Sequence, residues 1–350
     1  MPSDPAKMNE FLGKALGDIG AAVHAPLVVI GDKLGLYKAL AKGGEMTPAD
    51  LAKATKTHER YVREWLNNQA AGGYVAYDAK TKRYHLPPEQ AEAMADESSP
   101  FFLPGAWQAM TAAARAMPRL LEAFRTGKGL DWGEHDPDLF AGTERFFRPA
   151  YIGNLTSSWI PALTGMKDRL ERGAKVADVG CGHGASTIVM AKAYPNSKFH
   201  GFDYHEPSVV AARERAKAAG VGERVSFDVA KASDFPGTYD LVCHFDCLHD
   251  MVDPVGAAKG ARRAVGKDGT WMIVEPVASD RPEENFNPVG RTYYGASTMV
   301  CVPCSLYGGG PGLGAQAGEA RLREVVTAGG FTRVRRAAET PFNMVLEARP

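Results

Sequence analysis

The spacing of apolar positions changes along the chain. In the first 95 residues these positions recur at helical intervals, which predicts one helical stretch from Pro26 to Gly35 and another from about residue 57 to 70. Thr47 followed by Pro48 is a cap residue followed by proline, and this pair predicts a further helix start. Two short runs, YVAYD and RYHL, flank the turn at residues 79–81 and predict a hairpin. Helices followed by a small two-stranded wing indicate a winged-helix domain over residues 1–95.

Residues 96–165 keep a helical character but are rich in Phe, Trp and Met. Prolines and the polar segment TGKGLDWGEHDPD interrupt this stretch. We therefore expect residues 96–165 to form a helical connecting segment that acts as a lid, rather than an independent domain.

From Lys175 onward, short runs of apolar, β-branched or aromatic residues alternate with helical stretches. The five runs are KVADVG, KFHGFD, RVSFDVA, YDLVCHF and TWMIVEP. This alternation predicts a parallel sheet with helices on both faces. After the fifth run, a long insert (residues 277–316) precedes a helix that ends at Gly329–Gly330. Two runs joined closely about Pro341 then follow, and strands so closely joined can only pair antiparallel.

The predicted fold class is therefore α/β. Residues 166–350 are expected to form a Rossmann-like sheet of seven strands whose last strand is antiparallel. The mainly α winged-helix domain precedes it.

Charge and cysteine content narrow the class of protein. Lys plus Arg and Asp plus Glu each number 41, so no net charge attracts nucleic acid or an anionic membrane. Five cysteines, an odd number, do not describe a disulfide framework and fit a reducing compartment. The N-terminus carries acidic residues where a signal peptide needs a basic start, and apolar stretches such as Leu27 to Ile30 are too short to span a bilayer. We expect a cytoplasmic protein with no membrane partner.

A glycine-rich turn follows the first strand of the predicted sheet. Asp178 precedes three glycines at alternate positions, Gly180, Gly182 and Gly184. Glycine allows a tight turn and lets a ligand lie against bare backbone. The helix that follows offers free N–H groups at its start. The turn is thus a candidate ligand-binding loop.

Acids also stand at the ends of the next two strands. Asp203 ends the second strand, where it can accept both hydroxyls of a ribose. Asp228 and Val229 end the third, where a carboxylate can accept an adenine amino group and valine can pack on the ring. The glycine spacing is G-x-G-x-G rather than the G-x-G-x-x-G of nicotinamide enzymes. The pattern suits a ligand with an amino group, a ribose and an adenine, and does not suit a pyrophosphate.

On these motifs, the chain from about residue 170 to its end resembles the class I S-adenosylmethionine-dependent methyltransferases. With the winged helix included, it is similar to the small-molecule O-methyltransferases of the caffeate and hydroxyindole type and to related bacterial two-domain methyltransferases. The resemblance implies S-adenosylmethionine as cofactor, S-adenosylhomocysteine as product, a small-molecule acceptor and a homodimer. It adds Tyr204, Phe245 and Asp246 to the expected cofactor contacts.

The resemblance also implies a catalytic constellation. The pair His249–Asp250 follows the fourth strand, where the related enzymes carry a His-Asp pair whose histidine is the general base. Glu275, after the fifth strand, matches the acid that orients that histidine. A hydroxyl is a poor nucleophile until its proton leaves, and imidazole has a suitable pKa to take it. Alternatively, His249 caps Asp253 or the next helix and Glu275 is a surface acid. The second acidic partner of the plant enzymes is replaced by Ala315–Gln316.

Aromatic residues of the connecting segment and the late insert are candidate acceptor contacts. Phe147, Tyr151 and Tyr294 are the predicted substrate residues, and Phe146 and Tyr293 are neighbours that could complete an aromatic lid. Ordinary core packing is the alternative for each of them.

The CVPC segment at Cys301 and Cys304 has the spacing of half a zinc site. The other cysteines, Cys181, Cys243 and Cys247, supply no second C-x-x-C pair, so no metal is predicted.

A winged helix also raises a different function, a DNA-binding regulator with S-adenosylmethionine as effector. A DNA reader needs positive charge because phosphate contacts dominate affinity. Residues 1–95 carry 12 Lys and Arg against 11 Asp and Glu, which makes nucleic-acid binding the less favoured alternative. The apolar first helices, around Ala21 to Leu40, suit a dimer interface instead.

Overall fold

The computed structural model describes residues 3–350, and the chain divides into two compact units, Met1–Thr111 and Ala112–Pro350. The sequence-based bounds of 1–95, 96–165 and 166–350 divide the chain differently and remain predictions.

The first unit is helical with a small hairpin. Its elements are α1 (Pro5–Lys33), α2 (Leu36–Gly43), α3 (Pro48–Thr55), α4 (Glu59–Ala71), β1 (Ala76–Asp78), β2 (Arg83–His85), α5 (Pro88–Ala95) and α6 (Pro104–Ala114), the last of which crosses into the second unit. Strands β1 and β2 pair antiparallel, so the predicted wing is confirmed. Leu40 and Leu66 are fully buried in the core of this unit, beside Trp65.

The predicted helix start at Thr47 is confirmed as a reciprocal cap. The hydroxyl of Thr47 accepts a hydrogen bond from the N–H of Asp50 at 3.2 Å, and the N–H of Thr47 donates to the Asp50 carboxylate at 3.0 Å. Each bond satisfies an N–H that the first turn of a helix leaves without a partner.

Helix α1 differs from the prediction in length. It begins after Asp4, whose side chain caps it, and runs without a break through Pro26, which was predicted to be a helix start. At 29 residues it is long and apolar enough to cross a membrane by length and composition alone. The expectation that no segment reaches that length is therefore wrong. One such helix near the N-terminus is weak support for a membrane span, since signal sequences and ordinary helices meet the same criterion.

The second unit begins with helices and then alternates strands with helices. Its helices are α7 (Met117–Thr126), α8 (Pro137–Ala150), α9 (Ile160–Ala162), α10 (Met166–Arg172), α11 (Ala185–Ala193), α12 (Glu206–Ala218), α13 (Pro254–Ala264), α14 (Pro288–Ala296), α15 (Val302–Tyr307) and α16 (Gly318–Ala328). Its strands are β3 (Lys175–Val179), β4 (Lys198–Asp203), β5 (Val225–Val229), β6 (Tyr239–Phe245), β7 (Val265–Pro276), β8 (Arg333–Glu339) and β9 (Asn343–Arg349). Two π-helical turns, Tyr151–Trp159 and Ser297–Cys301, join α8 to α9 and α14 to α15.

The seven strands form one sheet in the order β5-β4-β3-β6-β7-β9-β8. The first five in this order pair parallel, and β9 pairs antiparallel with both β7 and β8. The two largest hydrophobic clusters of this unit draw on alternate residues of the strands, as Val176 and Ala177 of β3 illustrate. The predicted sheet is thus confirmed. Its parallel strands bring the residues after β3, β4, β5, β6 and β7 to one edge, the place where open α/β sheets bind ligands.

Candidate active site

The glycine turn after β3 has a backbone that only glycine adopts readily. Gly180, Gly182 and Gly184 have φ angles of 75°, 51° and 78°, all in the left-handed region. The N–H of Gly180 donates to the carbonyl of Phe202 in β4 at 2.8 Å, which fixes the turn to the sheet. A Cβ on Gly182 would meet no atom within 4 Å. The turn therefore leaves open space in front of the first turn of α11.

Asp178 is buried, with 1% of its surface exposed. One carboxylate oxygen accepts hydrogen bonds from the hydroxyls of Ser186 at 2.6 Å and Thr187 at 2.5 Å. The other oxygen has no partner among residues 3–350. Burial raises the pKa of Asp178 to about 6, against the effect of the two hydroxyls. Asp178 thus ties α11 to the strand end and retains one free acceptor.

Asp203, at the end of β4, connects two loops. Its carboxylate accepts from the N–H of Gly182 at 2.9 Å and from the N–H of His205 at 2.9 Å. Burial raises its pKa, and these backbone hydrogen bonds oppose the rise. Tyr204 stands beside it with 53% of its surface exposed. The carboxylate is therefore held rigidly at the rim of the glycine turn.

The acid at the end of β5 already has partners. The Asp228 carboxylate contacts Nε2 of His200 at 2.7 Å and accepts from the Arg213 guanidinium at 3.2 Å. A hydrogen bond to an adenine amino group would add to these contacts. Val229, the next residue, is 51% exposed and leaves an apolar surface at the strand end.

His249 and Glu275 form a buried pair. The imidazole Nδ1 is in hydrogen-bond contact with one oxygen of the Glu275 carboxylate, and the other oxygen accepts from the N–H of Leu248 at 2.8 Å. Glu275 is 1% exposed and His249 is 4% exposed, so the reading of Glu275 as a surface acid is wrong. Burial lowers the pKa of His249, but Glu275 and the hydrogen-bonding thiol of Cys301 outweigh that effect and raise it overall. Asp253 makes its own helix cap through the N–H of Gly256 at 2.7 Å.

Asp250 interacts electrostatically with this pair and with Asp203. Burial raises the pKa of Asp250 to about 7, and charges on His249, Glu275 and Asp203 all act on it. Charges interact strongly only at short range inside a protein. The histidine pair and the glycine turn therefore belong to one site at one edge of the sheet.

Phe245 is the last residue of β6, and Asp246 follows it. The Phe245 ring lies 5.3 Å from the ring of Tyr151. Asp246 has a φ of 50°, which is uncommon for a residue with a side chain. It accepts a hydrogen bond from the Asn343 amide at 2.7 Å. The structure thus groups Asp246 with His249 and Glu275, whose charges act on it.

The predicted acceptor residues differ in exposure. Tyr151 is 6% exposed and packs between Phe245 and Trp159, while Phe147 stacks at 6.3 Å from it and is half-buried. Tyr294 on α14 is also half-buried. Its neighbour Tyr293 is 6% exposed.

Two residues that sequence reasoning did not assign to the site are Cys301 and Asn343. Cys301 contacts the imidazole of His249, and Asn343 in β9 binds Asp246. The CVPC spacing drew attention to Cys301 as half a zinc site, yet within residues 3–350 no cluster of three potential metal ligands occurs. Asn343 gave no signal in the sequence, because its role depends on an antiparallel strand that begins nearly 100 residues after Asp246.

Comparisons with known proteins agree with this architecture. Residues 170–318 match a family model described as a methyltransferase domain, and residues 22–96 match an Rv2258c-like winged HTH domain. The 27-O-demethylrifamycin SV methyltransferase of Amycolatopsis mediterranei is 28% identical over 183 residues, which cover 47% of this chain and 65% of that protein. A ubiquinone biosynthesis O-methyltransferase of Bordetella parapertussis is 30% identical over 155 residues, or 43% of this chain and 61% of that protein. The chain thus spans less than two thirds of each relative.

Among solved structures, human N-acetylserotonin methyltransferase in complex with S-adenosylmethionine aligns with a TM-score of 0.74. The alignment covers 99% of this chain and 98% of the human chain at 15% identity, so it shows a shared fold. Residues 170–318 are therefore a methyltransferase domain, and a winged HTH domain precedes it at residues 22–96.

Proposed function

We propose that this protein transfers the methyl group of S-adenosylmethionine to a hydroxyl of a small molecule, with His249 as general base. The observation that carries the proposal is the buried His249–Glu275 pair at the same sheet edge as the glycine turn. A base held this way suits an acceptor that must lose a proton, such as a phenol or an alcohol.

The residues of the glycine turn fit the cofactor. The left-handed glycines keep the space in front of Gly182 open, and Asp203 is held at its rim. The free oxygen of Asp178 is a buried acceptor without a partner in the described chain, which suits an amino group. When bound, S-adenosylmethionine supplies a methyl group on a positively charged sulfur. Contacts by Tyr204, Asp228, Val229 and Phe245 belong to the same proposal.

Glu275 determines how His249 would act. Because Nδ1 is engaged by the carboxylate, Nε2 is the nitrogen that remains to take the proton of the acceptor hydroxyl. The carboxylate then stabilises the imidazolium that forms, as the third member of a catalytic triad does. Glu275 is therefore a positioning residue. His249 Nε2 would take the proton of the hydroxyl, while the cofactor, when bound, would supply the methyl carbon and leave as S-adenosylhomocysteine when its bond from sulfur to that carbon breaks. The charges of His249 and Glu275 also act on Asp250.

Phe147, Tyr151 and Tyr294 are the acceptor contacts that we carry forward. Phe147 and the buried Tyr151 stack with ring centroids 6.3 Å apart, and Tyr151 packs against Phe245 at the end of the strand that leads to His249. An aromatic lining with a few polar groups is typical of small-molecule sites.

The winged helix is less suited to DNA than to pairing with another copy of the chain. On α4, Arg60 pairs with Glu64 at 2.6 Å and Arg63 pairs with Glu59 at 2.6 Å. These carboxylates offset the positive charge that a recognition helix presents to phosphates. We therefore propose that the winged-helix domain serves in a homodimer, and that the protein acts in the cytoplasm.

Titration calorimetry with S-adenosylhomocysteine tests the cofactor assignment without knowledge of the acceptor. We expect one site per chain, and for Asp203→Ala an affinity at least tenfold weaker, since the lost carboxylate would leave both ribose hydroxyls without an acceptor. The Asp228 carboxylate is already engaged by His200 and Arg213. The affinity of Asp228→Ala for S-adenosylhomocysteine measures the proposed adenine contact separately. Absence of binding by the wild-type chain would refute the proposed function.

A further inference from the structure

The proposed general base, His249, lies in the short turn that follows β6. We call residues 248–251 the base turn. The Glu275 carboxylate holds this turn from the sheet, because it engages Nδ1 of His249 and accepts from the N–H of Leu248 at 2.8 Å. These contacts fix the ring and one N–H of the base turn, but they do not involve its carbonyl groups.

The carbonyl groups of the base turn are bound by the last part of the insert, residues 308–316, and by the helix ahead of it. We call residues 308–316 the insert loop. The N–H of Gly314 donates to the carbonyl of His249 at 3.1 Å. The hydroxyl of Ser305, on α15, donates to the carbonyl of Met251 at 2.8 Å. The base turn is thus held from two sides, by the sheet and by the insert.

Ser305 connects the base turn to the insert loop. Its side chain is fully buried, and the oxygen that donates to Met251 also accepts from the N–H of Gly312 at 3.0 Å. Its backbone carbonyl accepts from the N–H of Gly310 at 2.9 Å. Loss of this one hydroxyl would therefore break a hydrogen bond in the base turn and another in the insert loop.

The insert loop depends on such contacts for its order. Three of its glycines adopt the left-handed backbone, with φ angles of 79°, 60° and 76°: Gly309, Gly312 and Gly314. Glycine loses more conformational freedom on ordering than any other residue, so a loop of this composition needs external contacts. The contact here is close, because a Cβ on Gly310 would lie 2.5 Å from the carbonyl oxygen of Val252 and 2.6 Å from Oγ of Ser305.

We infer that Ser305 is a positioning residue for His249, and that it acts by holding the insert loop against the base turn. Glu275 engages the imidazole from the sheet, and Ser305 holds the backbone on which the imidazole is carried. A displacement of about 1 Å in a catalytic group can lower a rate by about 10²-fold. This inference rests on the proposed function, in which His249 is the general base.

Histidine-selective NMR tests the inference without an acceptor. The hydrogen bond to Glu275 should give the Nδ1 proton of His249 a downfield resonance that exchanges slowly with water and is assigned by its loss in His249→Ala. In Ser305→Ala this proton should exchange about tenfold faster or more, the effect of one lost buried hydrogen bond on local opening. Absence of the resonance in the wild type would refute the pairing of His249 with Glu275 and overturn the inference.

Ser197→Ala is the matched control. Ser197 is also fully buried, and its hydroxyl donates to the carbonyl of Leu170 at 2.7 Å and accepts from the N–H of Ala174 at 3.0 Å. Ala174 directly precedes β3, so this serine lies at the opposite edge of the sheet. The control should lower the urea midpoint as Ser305→Ala does and leave the His249 proton unchanged. Equal exchange of that proton in the two variants would overturn the inference.

Gly310→Ala tests the same contact if Ser305→Ala does not fold. It keeps the Ser305 hydroxyl, but its Cβ would be forced against the carbonyl of Val252, so the insert loop must move away from the base turn. The His249 proton should again exchange faster, and wild-type exchange in a folded Gly310→Ala would overturn the inference.

The rate and the cofactor affinity give the last readouts. On any phenol that the wild type methylates, Ser305→Ala should lower kcat by about 10- to 100-fold and leave KM unchanged, because a misplaced base slows the chemical step. An unchanged kcat would overturn the inference. Its affinity for S-adenosylhomocysteine should equal that of the wild type. Failure of the wild type to bind S-adenosylhomocysteine would refute the proposed function instead, while exchange of the His249 proton still decides whether Ser305 holds the base turn.

Discussion

The chemistry of His249 depends on two neighbours that come from distant parts of the chain. Glu275 near the end of β7 fixes Nδ1 and adds negative charge, and Cys301 contacts the ring from the end of a π-helical turn in the insert of residues 277–316. Burial alone would lower the pKa of this histidine and weaken it as a base. The carboxylate reverses that effect, so the pKa of His249 lies above its usual value, and in the proposed role the imidazole is a stronger base for it.

The Glu275→Gln substitution is predicted to move the pH dependence of methyl transfer. Glu275 raises the pKa of His249, so the neutral, active imidazole forms above pH 6.5 and kcat/KM rises with pH through that region. Glutamine keeps the shape but removes the charge. The pKa of His249 should fall, the rising limb should move to lower pH, and kcat should decrease by about 10²- to 10⁴-fold, the contribution of a general base.

A pH profile of kcat/KM on a phenolic acceptor measures this shift. Glu347→Gln is the control, because it removes a buried carboxylate in another part of the sheet. The rising limb of its pH profile should coincide with that of the wild type. If the rising limb of the pH profile of Glu275→Gln coincides with that of the wild type, the positioning role of Glu275 is contradicted, whatever the change in kcat.

Single residues of the site could be predicted from the sequence where the evidence for them lies in their immediate sequence neighbours. Gly180, Gly182 and Gly184 announce a turn by their spacing alone, and the structure assigns all three the left-handed backbone that explains them. The hydrogen bond from the Asn343 amide to the Asp246 carboxyl could not be predicted, because it depends on the φ angle of Asp246 and on the strand register that brings Asn343 beside it. Tertiary hydrogen bonds leave no periodic trace in a sequence.

At the scale of an element, the glycine turn permits a test that separates binding from folding. Gly182→Ala would place its Cβ in open space, at a φ of 51° that costs about 1–2 kcal/mol for a residue with a side chain. We propose that this space belongs to the cofactor. The variant should therefore fold with a slightly smaller free energy of unfolding and bind S-adenosylhomocysteine at least tenfold more weakly.

Gly220, after α12, is the matched control for this strain. Its φ is 72° and a Cβ there also meets nothing within 4 Å. Gly220→Ala should lose a similar free energy of unfolding in urea and bind S-adenosylhomocysteine like the wild type. Equal affinities for the two alanine variants would show that the space at Gly182 does not hold the cofactor.

The predicted start of a helix at Pro26 is wrong, because α1 begins at Pro5 and continues through Pro26. Proline is common in the first turn of a helix, and this preference made Pro26 a predicted start. The true first turn holds Pro5 behind the cap of Asp4, while Pro26 lies inside the helix, where proline usually breaks the hydrogen-bond ladder. The apolar spacing continues through Pro26 in both directions. Periodicity was the more reliable guide here, because it reports the whole face of an element rather than one residue.

At the scale of the whole molecule, the order of motifs predicted more than any single one. Strand-helix alternation with a closely joined final pair is enough to specify a parallel sheet with an antiparallel strand, and the observed order β5-β4-β3-β6-β7-β9-β8 agrees. The division into units did not follow from composition, since the helical residues around 96–165 carry no change in charge or periodicity that marks a boundary at Thr111.

The exposed apolar surface of α1 is a better candidate for the proposed dimer interface than the predicted segment from Ala21 to Leu40. Val28 and Leu40 belong to the buried core of the first unit. The exposed apolar residues form a stripe that includes Leu12, Leu16, Ile19, Val23 and Ile30, with alternating intervals of four and three residues over most of its length. That spacing is typical of helices that pair with another helix.

The charged residues of α1 argue against burial of this helix in lipid. Glu10, Lys14 and Asp18 lie on the side opposite to the stripe, given 3.6 residues per turn, and Lys14 pairs with Asp18 at 2.8 Å. Charged side chains in the middle of a membrane span are costly. A helix that is apolar on one side and charged on the other suits a protein surface.

Leu16→Glu should prevent the proposed dimer from forming and leave a monomer. Leu16 is 70% exposed in the single chain and lies at the centre of the stripe, so a glutamate there would bury an unpaired charge between two copies. Ala21→Glu adds the same charge to the same exposed helix on its opposite side and should remain dimeric. Sedimentation velocity of the three proteins, with flotation on phosphatidylcholine vesicles in parallel, distinguishes a dimer interface from a membrane-binding helix. A monomeric wild type, or equal association of both variants, would mean that the stripe does not pair two copies, and vesicle binding lost only in Leu16→Glu would assign it to lipid instead.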